Sequence, residues 1–316
     1  MPGGAEHPRR PCQRRHPRSL PPVFDGARLG EERGSPPLDL PSRIEGRGFA
    51  LRLLTADDGE ELYASVLRAR IHLSRWTTWS GRINSGDMMG GYITGWSARP
   101  QYGIEVEGRL GGMLGIYGAN EEPWLDLGYW IEPAFTGRGI MTRAVRTLAT
   151  WADRPILLAI HPNNAASLAV ARRLELTKSD EDRIWHGEAL RVFRGVPDPY
   201  ADMRAPSPDL AWHSRGTWLL SEHGEPVAAL AIRRLKKGVA EIACTSATER
   251  ALIDELAVAL TDLFRAGQCE GIFHSIALVQ PGPLGEAVAE IVGLRKGKLP
   301  DGKVAWQGVP GTILTR

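Results

Sequence analysis

Two short stretches hold residues whose types and spacing could do chemistry. The first is F-T-G-R-G-I-M-T-R-A-V, from Phe135 to Val145. It lies between L-D-L-G-Y-W-I, which alternates like a strand, and an apolar run with helical period. A strand that passes through G-x-G into a helix aims several unpaired backbone N–H groups at one point. The helix dipole adds positive potential there, and glycines let a phosphate approach without a side-chain clash. Arg138, Arg143 and Arg146 add charge. The loop is not a dinucleotide fingerprint, because Thr142 stands where a third glycine is needed, and not a P-loop, because no G-K-[ST] follows. On G-R-G alone, a plain turn and a phosphate cradle both remain open. The second stretch is H-P-N-N-A-A-S, from His161 to Ser167. Asn164 can cap the helix that follows, and Ser167, three residues on, would face the same site.

These residues need a scaffold, and the hydrophobic pattern supplies one. F-A-L-R-L-L reads as a strand, and T-A-D-D-G-E-E-L-Y-A-S-V-L-R-A-R as a helix that opens on Thr55 with acids in its first turn. H-L-S-R-W-T-T-W is irregular and aromatic, and S-G-D-M-M-G-G-Y-I-T-G-W reads as a second helix. Y-G-I-E-V, E-G-R and L-G-G-M-L-G-I-Y-G form a hairpin, with W-L-D-L-G-Y-W-I as the third strand of the meander. The Gly loop, a helix, the buried strand P-I-L-L-A-I, the helix N-A-A-S-L-A-V-A-R-R-L and the strand E-A-L-R-V-F-R-G follow. The fold class is α/β, built on a mixed α+β sheet.

Composition bounds the rest. A length of 316 residues suggests two domains, and a net charge of +2 gives no argument for nucleic acid or acidic partners. Cys12, Cys244 and Cys269 form no C-x-x-C pair, and there is no H-E-x-x-H, so neither a disulfide framework nor a metal is expected. No apolar run approaches the length of a membrane span and no secretory signal is seen, so a soluble cytoplasmic protein with no membrane partner is expected. Residues 1–42 are rich in Pro and Arg and read as a disordered basic tail; a basic arm that touches RNA is the other reading.

The two motifs together resemble the GNAT superfamily of acyl-CoA-dependent N-acyltransferases. The likeness is greatest to the RimJ/RimL type, which acetylates N-termini of ribosomal proteins, and it covers roughly residues 44–195. It implies that Thr136, Gly137, Arg138, Gly139, Ile140 and Met141 hold the CoA pyrophosphate through backbone N–H groups. Thr136 departs from the family's Gln or Arg, and Met141 from its small residue. The resemblance further implies that Asn164 binds the pantetheine arm and that Ser167 lies near the thioester sulfur. Ala171 stands where many members carry a tyrosine, and Glu175-Leu176 where the family has G-F. The implied reaction is attack of a neutral amine on acetyl-CoA. An α-amine of pKa near ~8 needs little help, whereas a lysine near ~10.4 needs a base. By position, Asp126 is the candidate base, with Glu105, Glu121 and Glu122 nearby and His161 as an alternative. Trp76, Trp79 and Tyr129 are candidates for the acceptor pocket, with core packing as the other reading for each.

The prolines from Pro197 to Asp209 mark a linker, placed at residues 197–212, between a GNAT domain at 43–196 and a second unit at 213–316. The second unit repeats the pattern of hairpin, strand, helix, strand, helix, strand. Its loop, A-C-T-S-A-T-E-R-A, has no glycine, so it is expected to be a degenerate, structural GNAT-like copy. The expected function is acetyl transfer from acetyl-CoA to a primary amine, with a protein or peptide N-terminus favoured. The alternatives are a small-molecule or antibiotic-like amine, and a non-catalytic acyl-CoA sensor or scaffold. The state would be a monomer or homodimer.

Overall fold

The computed structural model describes residues 38–95, 99–118, 124–185, 187–203, 206, 210–223, 225–246, 252–298 and 303–310. Most of the basic tail, Glu121 and Glu122, part of the linker and most of the glycine-free loop of the second unit lie outside the described residues.

The first sheet is built from β1 (Arg43–Gly46), β2 (Phe49–Leu53), β3 (Gln101–Val106), β4 (Arg109–Gly118), β5 (Leu125–Ile131), β6 (Ile156–Ile160), β7 (Thr177–Trp185) and β8 (Glu188–Gly195). Their order is β1-β2-β3-β4-β5-β6-β8-β7. Among the described residues of this sheet, the only parallel joint is β5 with β6, because a helix, α3 (Ile140–Ala152), connects them. Helices α1 (Gly59–Leu73) and α2 (Gly86–Thr94) cover one face, and α3 with α4 (Ala165–Arg173) the other. The strand period of two decides which side chain meets which helix layer. On β5, Leu125 and Leu127 join the core under α3 and α4, while Trp130 joins the core under α1 and α2. Helix α1 buries Leu62, Val66, Ala69 and Leu73, one stripe at helical spacing. The Thr55 backbone N–H donates to Asp58 Oδ2 at 2.8 Å and fixes where the chain turns helical.

The second sheet holds β9 (Leu210–Ser214), β10 (Thr217–Glu222), β11 (Glu225–Lys236), β12 (Val239–Ser246), β13 (Ser275–Val279), β14 (Arg295–Lys298) and β15 (Val304–Gly308), with helices α5 (Ile253–Cys269) and α6 (Gly282–Ile291). Its order is β14-β15-β13-β12-β11-β10-β9. An antiparallel meander leads into one parallel joint, β12 with β13 across α5, and the last two strands finish in swapped order. The first sheet ends the same way, with β5, α3, β6, α4 and then β7 outside β8. The mixed α/β class expected from the pattern is what the chain forms. Among the described residues, no helix is long and apolar enough to cross a membrane.

Four strands escaped the hydrophobic pattern: β1, β7, β9 and β14. Each is an edge strand. T-K-S-D-E-D-R-I-W and R-K-G-K are mostly exposed, so they carry no inward apolar alternation to read. Charge on an edge also discourages pairing with another chain.

The two sheets meet along α3. Thr147 Oγ1 donates to the Glu270 carbonyl at 3.2 Å, and Trp151 Nε1 donates to the Gly271 carbonyl at 2.8 Å. Arg146 pairs with Asp202, and Arg47 Nε lies 2.9 Å from Glu270 Oε1. Glu270 itself is buried, and its Oε2 has no partner among the described residues. Burial raises its pKa, Asp202 adds to this, and Arg47, Arg143 and Arg146 oppose it. A raised folded pKa gives stability that is present below the unfolded value of 4.5 and lost as pH rises through the folded value. The ionised carboxylate therefore costs stability near neutrality. Glu270→Gln is expected to raise the melting temperature at neutral pH by about 2 °C, from roughly 1 kcal/mol of relieved unsatisfied burial, and to flatten the loss of stability above pH ~5. Scanning calorimetry across pH checks both.

Candidate active site

Strands β5 and β6 pair only at Leu125 with Ile156 and Asp126 with Leu157. Beyond these pairs β5 runs on to Ile131 and β6 to Ile160 without a shared ladder. The sheet therefore splits into a wedge whose walls present backbone groups that neither strand satisfies for the other. A chain of amide-bearing ligand could pair there as an extra strand would.

At the open end of the wedge, β5 passes through a short 3-10 turn, Pro133–Phe135, into the glycine loop. Gly137 and Gly139 have φ of +78° and +70°, the left-handed region that favours glycine. Gly139 is the N-cap of α3, and no side chain caps that helix. The N–H groups of Ile140, Met141 and Thr142 are thus left for a ligand, with the positive end of the helix dipole behind them. By contrast, Asn164 caps α4 by accepting from the Ser167 N–H at 3.1 Å.

The two departures in the loop have local explanations. Thr136 Oγ1 turns back to the Pro133 carbonyl at 2.8 Å, and Met141 points its side chain into the core beneath α3. Neither occupies the space in front of the loop. Ile140 is likewise a core residue. Arg138 Nη1 donates to Glu107 Oε1 at 2.6 Å, at the surface. Arg143 lies behind the loop: its Nη1 donates to the Arg138 carbonyl at 3.2 Å and its Nη2 to the Arg47 carbonyl at 3.0 Å. Burial, followed by neighbouring Arg47, lowers its pKa, but a guanidinium stays charged. A cleft of about 500 Å³ adjoins Arg138 and Arg143 on their β1–β3 side. None of its lining residues comes from β5, β6 or α4, and its Arg43 and Arg138 are already paired with acids.

The strand period distributes the remaining candidates between the two faces of the wedge. Tyr129 faces α3 and α4, beside Ser167. The buried Tyr129 hydroxyl lies beside the Ser167 side chain, which opposes part of the effect of burial. Burial raises its pKa. Asp126 belongs to the opposite face and pairs with Arg183 of β7. Tyr117 and Arg99 also feel its charge. Tyr117 reaches Tyr92 of α2, hydroxyl to hydroxyl at 3.4 Å, and burial raises the pKa of both phenols. The Tyr117 ring lies against Gly128, where a Cβ would come within 2.3 Å of its Cε2. Gly128 in L-D-L-G-Y is therefore a close-packing residue.

His161 ends β6. Its Nδ1 accepts from the Asn163 N–H at 3.1 Å, which leaves the proton on Nε2, 3.2 Å from Glu188 Oε2. Trp76 packs against it with ring centroids 5.5 Å apart, so this aromatic does reach the end of the wedge strand. Trp79 does not line the pocket. It is 8% exposed, stacked on Tyr92 and set against Trp130 in the core under α1 and α2. Glu105 sits at Arg43 and Arg52 on β3, away from Asp126.

Glu132, just before the loop, was not singled out by the sequence. It is 2% exposed and receives Ser65 Oγ at 2.7 Å, Arg68 Nε at 2.9 Å, and Arg109 through Nη1 at 2.7 Å and Nη2 at 3.1 Å. Its own N–H donates to the Gly111 carbonyl at 2.7 Å. Burial alone would raise its pKa, but Arg109, Arg68 and Ser65 overcome this and hold it below the usual range. This knot ties α1 and β4 to the start of the glycine loop. The one signal in the sequence was an acid squeezed between an apolar strand and a proline.

Comparison with known proteins bears on the same residues. The family model described as "Acetyltransferase (GNAT) domain" matches residues 49–177, which contain the wedge, the loop and the Asn164–Ser167 turn. A protein of Bacillus subtilis (strain 168) named "Putative ribosomal N-acetyltransferase YdaF" is 29% identical over 158 residues, covering 47% of this chain and 82% of that protein. Among solved structures, the RimL ribosomal L7/L12 alpha-N-protein acetyltransferase in complex with coenzyme A matches at TM-score 0.44 and 21% identity, covering 50% of this chain and 99% of that one. The ribosomal-protein-S5-alanine acetyltransferase of Vibrio fischeri matches at TM-score 0.43 and 18% identity, covering 49% and 97%. Residues 49–177, which hold the wedge between β5 and β6 and the glycine loop at the head of α3, match the GNAT acetyltransferase domain.

Proposed function

We propose that this acetyl-CoA-dependent acetyltransferase acts on an α-amine, at the N-terminus of a protein or peptide. The loop Thr136–Met141 holds the pyrophosphate, the pantetheine arm lies in the wedge along β5, near Asn164, and the thioester rests by Ser167. One observation carries the choice of acceptor: both candidate bases are engaged. Asp126 is held by Arg183, and His161 spends its Nδ1 lone pair on a backbone N–H and its other nitrogen on Glu188. A lysine amine, of pKa near ~10.4, would meet no free base among the described candidates, whereas about a tenth of an α-amine of pKa near ~8 is already neutral at pH 7. The Bacillus subtilis relative, named a putative ribosomal N-acetyltransferase, agrees with a protein acceptor. We read the unit from residue 213 onward as a structural second copy that braces α3.

Mass spectrometry of peptides, lysine-containing N-blocked peptides and small amines incubated with the chain and acetyl-CoA tests the proposal. Acetylation confined to free peptide N-termini supports it. Products on small amines alone, or CoA binding with no product at all, would favour the small-amine enzyme or the non-catalytic sensor. Once an acceptor is in hand, Ser167→Ala is expected to lower kcat about tenfold or more while changing the Kd for acetyl-CoA little, because its hydroxyl acts on charge that develops at sulfur. Steady-state kinetics with calorimetric Kd values check this.

A further inference from the structure

Which way the glycine loop faces its N–H groups depends on one peptide plane, the one between Arg138 and Gly139. A trans peptide is planar, so its carbonyl and its N–H point in opposite directions. Gly137 and Gly139, at φ of +78° and +70°, leave this plane free to turn over, because glycine tolerates either sign of φ. Something outside the loop must then fix it. The arginine inside the loop does not. Arg138 turns to the surface, onto Glu107 and over the Phe135 ring, 5.3 Å from its centroid. Arg143, on the first turn of α3, does. Its Nη1 donates to the Arg138 carbonyl at 3.2 Å, and its Nη2 to the carbonyl of Arg47, just after β1, at 3.0 Å. Its Nε has no partner among the described residues, so these two bonds hold the side chain. The second unit backs the far end of this bridge. Arg47 Nε lies 2.9 Å from Glu270 Oε1, and a Cβ on Gly271 would stand 2.1 Å from the Glu45 carbonyl oxygen, so the end of α5 sits flush against β1.

We infer that Arg143 is a positioning residue for coenzyme A: its forked guanidinium latches the Arg138 carbonyl to the turn after β1 and so turns the Gly139 N–H outward, toward the pyrophosphate. The inference rests on the reading of the glycine loop as the pyrophosphate site. Arg143 touches no reacting atom and acts through the loop. Its charge behind the peptide also polarises it, which strengthens the N–H as a donor. A guanidinium suits the task, because donors fixed in one plane reach two carbonyls at once. A lysine ammonium carries the same charge without the fork. By backing the turn after β1, the second unit anchors the latch.

Calorimetry with free coenzyme A on the full chain comes first. A wild type that binds no CoA, or a Gly139→Glu variant that binds it undiminished, overturns the reading of the loop and the inference with it. With binding established, Arg143→Ala should raise Kd about thirtyfold, and Arg143→Lys about tenfold despite the retained charge. Amide NMR of the CoA-free chain gives the readout that a general loss of stability would not: in both variants the Gly139 amide should shift while the amides of Asn164 to Ser167 stay in place. An alanine variant within twofold of wild type overturns the latch and leaves the CoA site standing. So does a lysine variant that binds as tightly as wild type, since charge alone would then suffice. A raised Kd with the Gly139 amide unmoved overturns it as well. Should Arg143→Ala fail to fold, the lysine variant decides by the same two readings.

Discussion

Replacement of Gly139 by glutamate should abolish coenzyme A binding. Two effects add. The residue sits at φ +70°, where any Cβ costs about 1–2 kcal/mol, and that Cβ would come within 2.9 Å of Arg143 Nη1. The larger effect is electrostatic. A carboxylate at the N-cap of α3 would take the place of the phosphate, accept from the same N–H groups and pair with Arg143. Losing charge-assisted bonds of about 1.5–3 kcal/mol as well gives a drop of roughly a thousandfold in affinity. Gly139→Ala separates the two effects, since it keeps the strain without the charge, and should lose about tenfold. Isothermal calorimetry on both variants reads the difference. If the glutamate variant binds as tightly as the wild type, the pyrophosphate does not sit at this loop.

The second large effect is expected at Glu132, in the buried knot just before the glycine loop. Glu132→Ala removes the acceptor shared by Ser65, Arg68 and Arg109. Breaking a buried pair is expected to cost 3–5 kcal/mol, and the partial exposure of both arginines puts this one near about 3 kcal/mol. That corresponds to a melting temperature lower by about 6–12 °C. The sign of the pH dependence follows from the lowered pKa. The stabilisation is present above the unfolded value of 4.5 and is lost as pH falls through the folded value. Glu132→Gln should therefore flatten the acid limb of the stability curve below pH ~4.5. An unchanged acid limb by calorimetry would remove Glu132 from that role.

What could be read from the sequence follows from physics that is local. The loop and the two caps are set by neighbours in the chain, so G-R-G and N-A-A-S announced them. Interior strands carry their alternation openly, as L-D-L-G-Y-W-I does. Edge strands such as β7 bury little and gave no pattern, and with β7 went Arg183. That arginine lies 57 positions from its partner Asp126, and Ser65 lies 67 positions from Glu132. No period or motif in one sequence reports such a pairing. The Trp76 and Trp79 pair shows the same limit. H-L-S-R-W-T-T-W has no helical or strand period, so nothing told which ring turns to His161 and which enters the core.

The central claim is that backbone N–H groups at the head of α3 bind the pyrophosphate of coenzyme A. Amide NMR of the full chain during a titration with CoA tests it most directly. The account predicts large, saturable shifts at Gly137, Gly139, Ile140, Met141 and Thr142, with smaller ones along β5 and at the start of α4. Binding that leaves those five amides unmoved while others shift would contradict it.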